Sequence, residues 1–131
     1  MRDDGAVELA VMKQELAVCR LEAHDDVPAW AWRGELVSIT RARGELSVVC
    51  AAGAVPVAQA RVERSWRALV VTTPMEFDVV GVAAELTTAL AQAGVSVLPV
   101  ATYDTDYLLV KDDRLADAID ALLAAGHQVT A

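Results

Sequence analysis

Side chains able to do acid–base or nucleophilic work at neutral pH are scarce in this chain. His24 and His127 are its neutral-pH bases and Cys19 and Cys50 its thiols. His24 precedes Asp25 and Asp26 in a polar stretch, and His127 follows Gly126 at the end of a helical pattern. Neither belongs to a set of nucleophile, base and orienting group, so a structural hydrogen bond is the commoner role for each. Asp104 with Asp106, or His24 with Asp25, could touch a cation. However, there is no His-x-x-x-His, no cysteine pair and no calcium-loop spacing, and no metal site is expected. Both cysteines sit in apolar, strand-like runs and read as reduced core thiols. The glycines are scattered singly, with neither GxGxxG nor GxxxxGK[ST], so no phosphate cradle and no cofactor is expected.

Two polar features remain. The first is the junction from Thr72 to Gly81, where a strand gives way to a helix; the second is the turn from Ala101 to Tyr107. A helix N-terminus offers free N–H groups and a positive dipole end to a carboxylate, and Gly81 has no Cβ to block approach. Asp104 and Asp106 suit an ammonium or guanidinium group through charge-assisted hydrogen bonds. A zwitterion needs both features. The same residues serve equally as structure: Asp78 as a cap, Gly81 for close helix-to-sheet packing, and the Thr and Asp residues as turn formers. Trp30 and Trp32 flank Ala31 in a possible strand and, with no cluster of basic residues around them beyond Arg33, read as core or interface anchors.

The elements that must hold these features follow from periodicity. Trp66 to Thr72 reads as a strand. Val79, Val82, Leu86, Leu90 and Ala93 then recur at helical spacing, ended by Gly94. Val95 to Ala101 and Tyr107 to Val110 make a hairpin with Pro99 at an edge or bulge. Leu115, Ile119, Leu122 and Leu123 share a helical face closed by Gly126, and His127 to Val129 is a last short strand. Residues 65–131 thus form a complete βαββαβ unit. Residues 1–64 read as an abbreviated copy: strands at Glu15 to Leu21, Leu36 to Arg41 and Leu46 to Ala51, with at most short helices between. The class is α+β, ferredoxin-like.

Composition narrows the partners. The chain has 131 residues, 55% of them hydrophobic, which suffices for a real core, and a formal net charge of −8. Of that charge, −6 falls on residues 65–131 and −2 on residues 1–64. Such an acid excess opposes binding to nucleic acid or to an anionic membrane. The acidic start Met1-Arg2-Asp3-Asp4 is not a signal peptide, no apolar run is long enough to span a bilayer, and the cytoplasm is expected.

Three segments are similar to the ACT domain family: Phe77 to Leu86, Ala91 to Val97 and above all Ala101-Thr102-Tyr103-Asp104-Thr105-Asp106-Tyr107-Leu108-Leu109-Val110-Lys111. Within it, the chain most resembles small bacterial ACT proteins related to the aspartate kinase regulatory domain and the cytosolic arginine sensors. The resemblance covers roughly residues 15–130 and includes the hairpin Leu36 to Cys50. It implies a non-catalytic sensor that holds an amino acid between ACT units. Carried over by position, Val79, Val80 and Gly81 would meet the ligand's backbone groups, and Thr102, Tyr103, Asp104 and Asp106 would hold the rest. Exposed sheet edges imply a homodimer. The alternatives are a ligand-independent interaction domain, with Trp30 and Trp32 at its contact, and a small enzyme on the same fold.

Overall fold

The computed structural model describes residues 6–73 and 81–131. In chain order the elements are strands β1 (Glu8–Val11), β2 (Leu16–Leu21), β3 (Ser38–Ala42), β4 (Glu45–Ala51) and β5 (Val62–Val71), helix α1 (Val82–Gln92), strands β6 (Leu98–Ala101) and β7 (Asp106–Lys111), helix α2 (Leu115–Ala124) and strand β8 (Gln128–Thr130). Short 3-10 turns lie at Ala29–Trp32, Ala52–Ala54 and Asp112–Arg114. The chain divides into two compact units, Gln14–Trp66 and a second that joins Met1–Lys13 to Arg67–Ala131.

In the Gln14–Trp66 unit the strand order is β3-β4-β2, followed by the first half of β5. The antiparallel register sets Ala17 opposite Cys50, Cys19 opposite Val48 and Leu21 opposite Leu46. Alternation therefore puts both cysteines on one face. That face is covered without an α-helix among the described residues: Ala31 from the first 3-10 turn, with Ala52 and Val55, completes the cluster. The connections expected to hold at most short helices hold 3-10 turns and bends, and Trp30 and Trp32 lie in such a turn rather than in a strand. Hydrogen bonds between residues far apart in sequence close these connections. Ala51 N–H donates to Arg33 O at 2.9 Å, Ala52 N–H to Glu15 O at 3.0 Å, and Glu35 N–H to the Gln14 side-chain oxygen at 2.7 Å. Gly34 permits this closure: its φ is +143°, and a Cβ there would stand 2.8 Å from Ala51 N. Where β2 meets β5, Leu16 faces Trp66 and Val18 faces Glu63, so Ala17 opposes two residues, Arg64 and Ser65. Ser65 accommodates this bulge at φ +69°.

The other unit carries both helices. Within it β5 lies between β1 and β7, β8 pairs in parallel with β1, and β6 forms the edge beyond β7. The segment β5-α1-β6-β7-α2-β8 has the ferredoxin-like order expected of residues 65–131. The strand Glu8–Val11, which no sequence pattern announced, lies between β5 and β8. Val82, Leu86 and Leu90 of α1 and Ala118 and Leu122 of α2 pack on Leu9, Leu69, Val71, Leu108 and Val110. Gly94 (φ +76°) and Gly126 (φ +96°) end the helices as their spacing predicted. Val95 N–H returns to Leu90 O at 2.9 Å and His127 N–H to Leu122 O at 3.1 Å, the six-to-one bonds of a left-handed helix stop. Arg114, at the N-cap of α2, ties the end of α1 to the start of α2 by donating to Gly94 O at 3.2 Å and to Asp117 at 3.0 Å. Arg67 bridges Met12 O, at 3.1 Å, to Asp112, also at 3.1 Å.

Leu86 is fully buried, so Leu86→Ala should cost about 2–5 kcal/mol of stability. Gly34→Ala should cost about 1–3 kcal/mol through backbone strain. Equilibrium urea unfolding checks both, and a Gly34→Ala midpoint equal to that of the parent would contradict the closure described for that loop.

Candidate functional site

The turn between β6 and β7 is built by its threonines. Ala101 and Asp106 are the last register pair of the hairpin, leaving residues 102–105 to reverse the chain. Thr102 N–H donates to Thr105 O at 2.9 Å, and the Thr102 hydroxyl both accepts from Thr105 N–H at 3.3 Å and donates to Thr105 O at 3.1 Å. Thr105 in turn donates its hydroxyl to Val71 O at 2.7 Å. Val71 is the last residue of β5, so the turn is pinned to the exit of the strand that leads toward α1. With both threonine hydroxyls committed to structure, Tyr103 and Asp104 stay exposed and Asp106 is half-buried at the start of β7.

At the other feature, Gly81 occupies the N-cap position of α1 with φ +86°, and its carbonyl accepts from Glu85 N–H at 2.8 Å. A Cβ on Gly81 would meet nothing within 4 Å. Close helix-to-sheet packing therefore does not explain this glycine; its left-handed backbone conformation does. Val79 and Val80, together with the proposed cap Asp78, lie outside the described residues. Of the seven ligand-contacting positions expected from sequence, Gly81, Thr102, Tyr103, Asp104 and Asp106 are described, and all five belong to the same compact unit.

The other chemistry-bearing side chains are placed elsewhere. His24 is exposed in a bend where Asp25 accepts from Glu22 N–H at 3.2 Å. His127 is buried, its Nδ1 accepting from Val7 N–H at 3.1 Å, in keeping with a structural hydrogen bond. Among the described residues no three of His, Cys, Asp and Glu cluster as metal ligands. No described helix is long and apolar enough to cross a membrane. Cys19 and Cys50 are buried and free. Burial pushes the Cys50 thiol up to about 11; the neighbouring Cys19 adds to this and the Arg64 guanidinium offsets part of it. Burial also raises Cys19, again opposed by Arg64. Neither thiol is a nucleophile at neutral pH.

Comparison with known proteins decides the family. The model of the ACT domain matches residues 61–124. A structure from Agobacterium tumefaciens is 34% identical, with 95% of this chain and 92% of that chain covered and a TM-score of 0.89. The chain belongs to the ACT domain family. A separate family model, that of an N-terminal domain, matches residues 14–58 of this ACT protein, close to its Gln14–Trp66 unit. The fold also matches a Vibrio cholerae protein of unknown function described as a possible transport protein, at 22% identity, covering 93% and 91% of the two chains with a TM-score of 0.71. It likewise matches the ligand-free regulatory subunit of aspartate kinase from Thermus thermophilus, at 14% identity, 89% and 95% coverage and a TM-score of 0.63. No curated protein matches the sequence.

The thiols provide a direct check on this placement. Burial keeps both thiols in their protonated form at pH 7. A disulfide reagent at pH 7 should leave the native protein unlabelled while modifying both cysteines at once in denaturant. Prompt labelling of the native protein would contradict their burial.

Proposed function

We propose that this ACT protein is a non-catalytic regulatory module that senses a free amino acid in the cytoplasm and works as a homodimer. The observation that carries the reading is the 2.7 Å bond from Thr105 to Val71 O. It fixes the Thr102–Asp106 turn at the exit of β5. The N-terminal end of α1 supplies a positive dipole end for the ligand carboxylate. Asp104 and Asp106 supply negative charge for its ammonium group or for a basic side chain. Val79, Val80, Gly81, Thr102, Tyr103, Asp104 and Asp106 form the proposed contact set. The fold shared with regulatory subunits of aspartate kinase agrees with a regulatory rather than a catalytic role.

A ligand that binds only the native state at a hundred times its dissociation constant adds about 2.7 kcal/mol, a shift of several degrees in Tm. Thermal melts against each common amino acid should show that rise for one or a few of them. Asp104→Asn should lose most of the shift while keeping the unliganded Tm, because Asp104 is exposed. A full panel without any shift, from a protein that remains dimeric by light scattering, would replace this reading with that of a ligand-independent interaction domain. The exposed Trp32, at 63%, is the feature that favours that second reading.

A further inference from the structure

Among the described residues His127 is the one buried polar or charged residue, and its side chain is fully enclosed. It stands where three elements meet. Its own N–H closes α2 on Leu122 O, and the next N–H, from Gln128, donates to Val7 O at 3.0 Å. Its ring accepts at Nδ1 from Val7 N–H at 3.1 Å, just before β1. A ring nitrogen that accepts an amide proton cannot itself carry one, so the neutral imidazole is held as the Nε2–H tautomer. Nε2 makes no hydrogen bond but lies 3.8 Å from a carboxylate oxygen of Glu85, in the first turn of α1. From the residue before β1 the ring meets the Val7 amide, and from α2 the residue meets the Leu122 carbonyl; β8 begins at the next residue. Glu85 is the sole described charged side chain within ion-pair distance of the ring.

We propose that His127 is a proton-operated catch on the chain entering β1, with Glu85 as its counter-ion. The second proton has only Nδ1 to occupy. Once there, it faces the Val7 N–H donor to donor, and that bond must open. The imidazolium meanwhile gains a charge-assisted attraction to Glu85, which is half-exposed and able to close the 3.8 Å gap. Acid thus trades a bond between the ring and the N-terminal strand for one between the ring and α1. Ala6 and Val7 are buried at 6% and 4%, and Val7 O keeps the Gln128 N–H at 3.0 Å, so what opens is the Val7 N–H. It stays local, because Leu9 remains paired with Val71 on one side and Val129 on the other, and Glu8 O keeps the Thr72 N–H at 2.8 Å. The catch does not depend on the amino-acid reading above.

Amide exchange and nitrogen-15 spectra of the full chain between about pH 8 and pH 5 test it. At pH 8 the ring should show the Nε2–H tautomer; an Nδ1–H tautomer would overturn the proposal. As the pH falls, the protection of the Val7 amide, corrected for intrinsic exchange, should drop about tenfold, the loss of one hydrogen bond, while that of Leu69 holds. H127N keeps an acceptor oxygen near the position of Nδ1 but does not titrate, so its Val7 protection should be independent of pH. Equal loss in H127N, or no loss in the wild type, overturns the catch. E85Q leaves His127 in place and removes the counter-ion, so the midpoint of the loss should move to lower pH. An unmoved midpoint overturns the role of Glu85, and this variant decides the question even if H127N fails to fold.

Discussion

A buried strand must find hydrogen-bond partners on both of its sides, and the second half of β5 imposes that demand on everything around it. Leu69 and Val71 face the core beneath the two helices, so no water reaches their backbone from that side. One side of the strand is met by β7, which arrives with its hairpin partner β6 and brings the Thr102–Asp106 turn to the strand's end. The other is met by β1, from near the start of the chain, and β1 in turn receives β8. The candidate site is thus a by-product of how β5 is flanked. Its turn cannot move without disturbing a core strand.

The first half of β5 meets a different problem. It must align with β2 and then change register, and the extra residue is absorbed by Arg64 and Ser65 at the bulge. Arg64 turns its guanidinium onto the carbonyls of Ala52, Val55 and Pro56, and its charge tempers the two core thiols. The small unit is therefore held by backbone closure around Gly34 and Gln14 as much as by its modest apolar cluster. A unit of this size with no helix in its cover has little apolar area to spare.

Where periodicity and punctuation are local, the sequence was readable. The helical faces of α1 and α2, their stops at Gly94 and Gly126, the hairpins β3-β4 and β6-β7 and the edge position of Pro99 all follow from residues within a turn or two of one another. Strand β1 was not readable because its short apolar run acquires meaning only from Val71 and Val129, far along the chain. The bulge at Ser65 escaped for a related reason: serine carries no left-handed signature, and tertiary pairing places it there. At the site, the acidic turn was visible as composition. Its division of labour was not: the Thr102 and Thr105 hydroxyls are spent on the backbone, while Tyr103 and Asp104 face solvent. Of the two readings open for Gly81, ligand approach and close helix-to-sheet packing, the structure removes the packing one and adds a left-handed backbone conformation, which spacing alone does not reveal.

The location of β1 carries a consequence for how the molecule is made. During synthesis the chain emerges from its N-terminal end, yet Leu9 has no partner until Val71 has been added and lacks its second until Val129 arrives. The Gln14–Trp66 unit, by contrast, draws its pairings from within itself and can close while the ribosome is still working. The Ala6–Val11 stretch must wait as an unpaired strand until Val71 follows, the state in which such segments find wrong partners. Closure of its sheet therefore joins residues far apart in sequence, the kind of contact that slows folding.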